Sequence, residues 1–272
     1  MRKTKIWLLQ VLGIVLSLIV AVPIYYVVIN SFKSTAEAAE GNLKLPREWL
    51  FVENYKKVFV ESKLLSAFFN SLIVTVCAIL LIILVCSISA FVIQRRNDKM
   101  AKILQNVMLA GIILPMSIIT TYIFMFNMKM TGTYWGVILL YVATAYPFST
   151  YIMMGFFNTI PRAIDESAII DGCSGLKMFF YVIFPLMKPV IATIVILNFI
   201  GIWGDFNTAI YFFNNSKRYT MTLTVYFFSG IHSSQWNYVF ADLVMISLPV
   251  AVLYVFLQKY IIAGMTSGSV KG

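Results

Sequence analysis

Six stretches of the chain are almost free of charged residues, and each is long enough to cross a lipid bilayer as a helix. They consist mostly of Leu, Ile, Val, Phe, Met and small residues, and their approximate bounds are 6–30, 66–94, 103–127, 134–157, 179–203 and 241–263. A helix needs about 20 predominantly apolar residues to span the hydrocarbon core. The pattern therefore predicts an all-α integral membrane protein with about six transmembrane helices.

The composition supports the same fold class. Of the 272 residues, 60% are hydrophobic and 12% are charged, whereas soluble domains average about 45–50% apolar and about 25% charged residues. A soluble fold covers much of its surface with polar groups, and this chain has few of them. The first apolar stretch follows a basic start, as in a signal peptide. It runs uncharged from Ile6 to Phe32, so we expect it to remain as the first span.

The basic residues predict the orientation of the spans, because short cytoplasmic loops are enriched in Lys and Arg. Residues 95–102 carry four basic residues and one acid, whereas residues 31–65 mix basic residues with five glutamates. We expect 95–102 in the cytoplasm, 31–65 and 212–240 outside, and both termini in the cytoplasm of a bacterial-type plasma (inner) membrane. The expected domains are an N-terminal helix with an outer segment (1–69), a transmembrane domain (70–260) and a cytoplasmic tail (261–272).

A formal net charge of +10 is also typical of nucleic-acid-binding proteins. Here the basic residues lie in short stretches between apolar runs, which fits membrane topology better. Cys77, Cys86 and Cys173 lack the spacing of metal ligands. His232 is the only histidine, and the chain has no phosphate-binding Gly-x-x-x-x-Gly-Lys-Ser/Thr loop. We expect no catalytic residues, no metal site and no cofactor bound by this chain.

Residues 158–186 form the cytoplasmic segment with the most specific pattern. Pro161 suits the first turn of a helix, and Gly172 can end a helix in the left-handed conformation. Asp165 and Glu166 favour the N-terminal half of such a helix through its dipole. The expected helix of about ten residues either joins two spans at the surface or binds a cytoplasmic partner, with Glu166 paired to an arginine of that partner.

This segment resembles the EAA motif of binding-protein-dependent ABC importer permeases. The family motif is Glu-Ala-Ala, three residues, Gly, nine residues and Ile-x-Leu-Pro. The chain keeps this spacing with Glu166, Ser167, Ala168, Gly172, Val182, Phe184 and Pro185, and departs from the motif's residue types at 167, 182 and 184. Asn54-Tyr55 and the ending Val270-Lys271-Gly272 are similar to the maltose-type (carbohydrate) branch. Within that branch the chain resembles the smaller of the two permease subunits.

The resemblance implies a type I ABC importer transmembrane domain and a set of partners. These are a second homologous permease subunit, two ATPase subunits that bind ATP and Mg, and an extracellular or periplasmic solute-binding protein that delivers a carbohydrate, expected to be an oligosaccharide. ATP binding would move the docking helices and turn the spans from inward- to outward-facing. The residues implied in ATPase docking are Asp165, Glu166, Ser167, Ala168, Asp171 and Gly172.

Polar and aromatic residues of the third and fifth spans are candidates for the substrate pathway, since sugars are bound by hydrogen bonds and by stacking on aromatic rings. The same residues could instead make interhelical hydrogen bonds or an aromatic belt at the membrane surface, and both interpretations stay open. The outer loop at 212–240 likewise either contacts the solute-binding protein or anchors in the interface. The candidate pathway residues are Tyr122, Asn198, Trp203, Asp205 and Asn207.

Two other kinds of transporter compete with this interpretation. An importer of a non-sugar solute such as glycerol phosphate would want Arg or Lys at pathway depth, and none is evident in this subunit. A secondary transporter would need an acid for ion coupling well inside a span, whereas Asp205 and Asp242 lie near span ends. The sequence therefore favours the carbohydrate importer.

Overall fold

Helices account for most of the residues that the computed structural model describes, which are 2–96, 98–213, 215–230 and 235–269. In chain order the helices are α1 (Arg2–Asn30), α2 (Thr35–Ala39), α3 (Phe51–Glu61), α4 (Leu64–Arg95), α5 (Lys99–Ile113), α6 (Ile118–Asn127), α7 (Tyr134–Phe157), α8 (Arg162–Ile170), α9 (Gly175–Lys177), α10 (Phe184–Leu186), α11 (Lys188–Trp203), α12 (Asn207–Phe212) and α13 (Trp236–Ser269). A π-helical turn, Met178–Ile183, joins α9 to α10, and two 3-10 turns, Ser216–Arg218 and Met221–Phe227, lie in the outer loop. Asn214, His232 and the ending at 270–272 lie outside the described residues.

The apolar runs correspond to straight and bent helical spans. Within the part of the chain that the structure describes, four helices are long and apolar enough to cross a membrane without interruption: α1, α4, α7 and α13. Two further apolar runs each form a bent pair of helices. The chain bends by 113° between α5 and α6, and by 75° between the helical run Gly175–Leu186 and α11. Counting each bent pair as one span gives up to six, in agreement with the six apolar runs.

The third apolar run is broken at Pro115. Proline disfavours helical backbone in the residue before it, and Leu114 accordingly has an extended conformation with φ −75° and ψ 120°. The helix begins again as α6 after Ser117. The span predicted at 103–127 is therefore divided into two helices, because the proline ends the first helix in the middle of the run.

The fifth apolar run bends at Met187, which lies between two prolines. Pro189 has no N–H to donate to the carbonyl four residues earlier, and its ring crowds that carbonyl. Met187 has a ψ of 0° where α10 ends and α11 begins. Before the bend, the backbone widens into the π-helical turn Met178–Ile183. The predicted span at 179–203 is thus a bent element and not one straight helix.

α7 is the central helix of one compact unit, which contains residues 69–219 and 250–272. It packs against α5 and α11, and its own Pro147 leaves it continuous. The contact with α5 is close, since a Cβ added to Gly111 would lie 2.9 Å from the Pro147 ring. Asn198 of α11 donates to the Ser149 hydroxyl of α7 at 3.3 Å. Hydrogen bonds of this kind help membrane helices to associate.

A second compact unit contains residues 1–68 and 220–249. The domain bounds expected from the sequence, 1–69, 70–260 and 261–272, stay a prediction. The outer segment at 31–65 forms the short helices α2 and α3. The core of this unit consists of Val58, Phe228, Val239 and Ala241.

Buried asparagines connect the parts of this second unit. Asn54 donates to the carbonyls of Ser31 and Lys33 at 2.8 and 2.9 Å, and its side-chain oxygen accepts from Asn237 at 3.2 Å. A buried network of satisfied hydrogen bonds fixes the arrangement of the segments that it joins. α3 and the start of α13 are therefore held against the residues that follow α1.

Candidate docking helix and outer loop

α8 corresponds to the predicted docking helix, and its ends match the sequence signals. Pro161 precedes it in an extended conformation. At the other end Gly172 has a φ of 79°. The Gly172 N–H donates to the Ile169 carbonyl at 3.0 Å, and the Cys173 N–H donates to the Ala168 carbonyl at 2.9 Å. This pair of bonds is a Schellman motif, which gives hydrogen-bond partners to carbonyls that the end of a helix leaves free.

One face of α8 is buried and the other is exposed. Ala168 is buried, whereas Glu166 and Ser167 are exposed, and Ile170 is 85% exposed. The exposed face thus combines a carboxylate, a small residue and a large aliphatic residue, which suits contact with a partner. An open cleft of about 350 Å³ beside the helix is lined by Ala163, Ile164, Ser167, Ala168, Asp171, Cys173 and Val182.

Asp165 pairs with Arg95, the last residue of α4. The Arg95 Nε lies 2.5 Å from Asp165 Oδ2, and Nη2 lies 3.1 Å from Oδ1. The two side chains are 15% and 13% exposed. Of the two adjacent acids predicted for docking, Asp165 therefore contacts another helix of its own chain, while Glu166 faces outward. Sequence reasoning missed this pair because its partners are 70 residues apart.

Arg95 also contacts the turn that leads into α8. Its terminal nitrogens both lie 3.4 Å from the Ile160 carbonyl oxygen, and its guanidinium carbon lies 5.8 Å from the centre of the Phe157 ring. One turn earlier on α4, the Phe91 ring lies 5.9 Å from the Phe157 ring. The end of α4 is therefore in contact with the end of α7, the following turn and α8.

The predicted pathway residues of the fifth apolar run have packing partners within the chain. Asn198 bridges α11 and α7, as described above. Trp203 is 2% exposed and stacks on Phe199, with ring centres 5.3 Å apart. Asp205 accepts from the Thr208 N–H at 3.1 Å and so caps the start of α12. We expect contacts of this kind if these residues serve to hold the helices together.

Tyr122 and Asn207 lie on the short helices α6 and α12. The Tyr122 ring lies 5.8 Å from the ring of Phe212, the last residue of α12. Asn207 is the first residue of α12 and is exposed. Substrate sites in transporters often lie where helices are discontinuous, and α6 follows the break at Pro115 while α12 follows the end of α11.

The first part of the outer loop has a defined position. Asn70 donates to the carbonyls of Lys217 and Tyr219 at 3.0 and 2.9 Å, and its side-chain oxygen accepts from the Tyr134 hydroxyl at 2.8 Å. The Arg218 guanidinium carbon lies 5.5 Å from the centre of the same tyrosine ring. This part of the loop is therefore fixed to the starts of two long helices of its own unit.

Comparison with known proteins identifies the family. Residues 82–267 match the family described as the binding-protein-dependent transport system inner membrane component. The probable starch degradation products transport system permease protein AmyC of Thermoanaerobacterium thermosulfurigenes is 31% identical, with all of both chains covered. The diacetylchitobiose uptake system permease protein NgcG of Streptomyces coelicolor is 32% identical over 93% of this chain and 85% of that protein. The melibiose/raffinose/stachyose import permease protein MelC of Bacillus subtilis is 32% identical over 92% of this chain and 91% of that protein.

A solved structure shares the fold. It is a bacterial ABC transporter involved in the import of the acidic polysaccharide alginate, and one of its chains matches with a TM-score of 0.82 at 21% identity, covering 95% of this chain and 96% of that chain. The protein belongs to the family of binding-protein-dependent inner membrane transport components, as a multi-pass permease subunit of an ABC importer and not an enzyme. Permeases of this family work in general with a partner permease, ATPase subunits and a solute-binding protein.

Proposed function

We propose that this permease subunit imports a carbohydrate, in particular an oligosaccharide. Similar permeases are described as transporting starch degradation products, diacetylchitobiose, and melibiose, raffinose and stachyose. Their similarity extends over 92% or more of this chain. Tyr122 offers an aromatic ring to a sugar on α6, after the break at Pro115, and Asn207 offers an amide at the start of α12.

The exposed face of α8 is the observation that carries the docking part of the proposal. Glu166 and Ile170 project from a helix whose end is fixed by the Schellman motif at Gly172. A carboxylate on this face can form a charge-assisted hydrogen bond with an arginine of an ATPase subunit, and Ile170 can be buried against the same partner. The proposed assembly contains a second homologous permease, two ATPase subunits with ATP and Mg, and a solute-binding protein outside the membrane.

The orientation proposed for the chain has α8, the loop at 95–102 and both termini in the cytoplasm. The ion pair between Arg95 and Asp165 supports a common side for the first two, since it joins the start of that basic loop directly to α8. The basic residues of this short loop then lie on the side that the distribution of Lys and Arg favours.

Reconstitution of the complete complex tests the proposed function. ATP turnover in nanodiscs and uptake by proteoliposomes would be measured with the solute-binding protein loaded from a panel of oligosaccharides, and with glycerol phosphate for comparison. We expect at least one oligosaccharide to raise ATP turnover and to be taken up. If only glycerol phosphate stimulates ATP turnover, the proposal of a carbohydrate substrate is contradicted. If an ion gradient drives uptake without ATP, the assignment to the ABC importers is contradicted.

A further inference from the structure

We propose that Arg95 is a positioning residue that couples the docking helix α8 to the span α4. The proposal rests on the docking function proposed above for α8. Through the ion pair with Asp165, a movement of α8 reaches α4 directly. The pair adds a direct contact with α4 to the contacts that α8 makes with the helical turn Met178–Ile183.

The geometry of the pair favours the transmission of movement. The Arg95 Nη2 donates a hydrogen bond to Asp165 Oδ1 at 3.1 Å, and Nε lies 2.5 Å from Oδ2 as an ionic contact without hydrogen-bond geometry. A charge-assisted hydrogen bond is shorter and stronger than a neutral one, and here it is combined with a close ionic contact between the same two side chains. Both side chains are mostly shielded from water, and an ion pair in such surroundings is less weakened by solvent and salt than one at the surface.

The position of Arg95 lets one side chain act on a whole span. α4 is continuous over 32 residues, from Leu64 to Arg95, which corresponds to about 48 Å at 1.5 Å per residue. Arg95 is its last residue, so a displacement of its side chain acts on the end of a long rigid element. The same guanidinium also contacts Phe157 and the Ile160 carbonyl, so the end of α7 follows the same movement.

The neighbouring ion pair supplies a matched control. The Arg96 Nε lies 2.9 Å from Asp98 Oδ2, and this hydrogen bond lowers the pKa of the Asp98 carboxyl. The two side chains are 54% and 45% exposed, and exposed ion pairs contribute little to stability. Asp98 caps α5 through the Ala101 N–H. The variant Arg96→Gln therefore removes a positive charge from the same loop without changing the contact with α8.

The first test measures coupling in the complete complex in nanodiscs and proteoliposomes. Asp165→Asn keeps the side-chain shape and removes the charge, and Arg95→Lys keeps the charge and removes the guanidinium that contacts both Asp165 and the Ile160 carbonyl. We expect each to lower binding-protein-stimulated ATP turnover, and the sugar transported per ATP, by about tenfold, which is a typical coupling between sites. ATPase co-purification should not change. The exchange Arg95→Asp with Asp165→Arg should recover part of the coupling, and Arg96→Gln should keep all of it.

A distance measurement separates positioning from a loss of stability. Spin labels at Arg162 and Val92, both exposed, would report the separation of α8 and α4 in a chain without its native cysteines. We expect one narrow distance that persists when ATP is added, and a broad distribution in Asp165→Asn. An unchanged distance and unchanged coupling in Asp165→Asn would overturn the proposal. Equal loss of coupling, assembly and thermal stability would also overturn it, because that pattern indicates a structural function alone.

Failure of this proposal differs from failure of the docking function. If Glu166→Lys leaves ATPase co-purification intact, α8 is not the docking helix and the coupling proposal is overturned with it. If Glu166→Lys abolishes co-purification while Asp165→Asn and Arg95→Lys behave as wild type, docking stands and the coupling function of Arg95 alone is wrong.

Discussion

The end of the docking helix leads to a quantitative prediction for Gly172. Its φ of 79° lies in the left-handed region, where a residue with a Cβ costs about 1–2 kcal/mol. A Cβ at this position would meet no atom within 4 Å, so Gly172→Ala should add this conformational cost and no steric clash. A change of about 1.4 kcal/mol is a factor of ten in an equilibrium. In Gly172→Ala we therefore expect a change in the ratio of two forms of this helix end, the form with both Schellman hydrogen bonds and the form in which they are broken. This ratio should fall about tenfold.

The order of a substitution series follows from backbone conformation and not from side-chain size. Asn tolerates the left-handed region better than other residues with a Cβ, so Gly172→Asn should be milder than Gly172→Ala. Gly172→Val should be worse than both, because a β-branched residue is a true outlier at positive φ. Gly172→Pro should be the most harmful, since its φ is fixed near −65° and it has no N–H for the Ile169 carbonyl.

The assay is ATPase co-purification together with binding-protein-stimulated ATP turnover in nanodiscs. Gly175 is the control, because a Cβ there also meets no atom within 4 Å while its backbone has no positive φ. Gly175→Ala should therefore behave as wild type. The reasoning is refuted if Gly172→Ala is as active as wild type, if Gly175→Ala is equally harmful, or if Asn at residue 172 is worse than Ala.

Three further predictions concern docking, topology and the outer loop. Glu166→Lys should abolish ATPase co-purification, because it removes the exposed carboxylate, whereas Glu53→Lys on α3 should not; equal binding by both would contradict docking through α8. In a chain without native cysteines, Ser216→Cys should react with an impermeant reagent on intact cells and Ser174→Cys should not; the reverse result would invert the topology. Asn70→Ala removes two hydrogen bonds to the outer loop, at about 1 kcal/mol each. It should lower binding-protein stimulation while basal turnover stays unchanged, and undiminished stimulation would show that this anchoring is not needed.

Local signals in the sequence predicted the docking helix well. A helix start depends on residues such as Pro161, and a left-handed end depends on a residue such as Gly172, so both ends can be found without knowing the rest of the fold. The apolar runs likewise predicted the spans, since membrane-spanning length is a property of one segment. The break at Pro115 could also have been expected from its effect on Leu114, but an apolar run does not itself show whether neighbouring helices compensate for a proline.

Contacts between distant segments could not be predicted in the same way. In the sequence, Arg95 was explained as one of the basic residues that determine the topology. Asp165 was explained as an acid near the N-terminus of a helix. Trp203 fitted a sugar-stacking residue equally well, and only its burial against Phe199 shows how it packs. Such assignments depend on which faces of the helices pack against each other. The helices carry few polar residues, so the sequence is compatible with several packing arrangements.

Photo-crosslinking from α8 is the most direct test of the central claim that this chain is moved by an ATPase bound to that helix. A photoreactive amino acid at Ile170, which is 85% exposed, would be compared with one at Val52 of α3, which is 66% exposed. In the assembled complex we predict a crosslink to the ATPase subunit from residue 170 and none from residue 52. A complex that hydrolyses ATP and transports sugar normally, yet crosslinks to its ATPase from residue 52 and not from residue 170, would contradict the account.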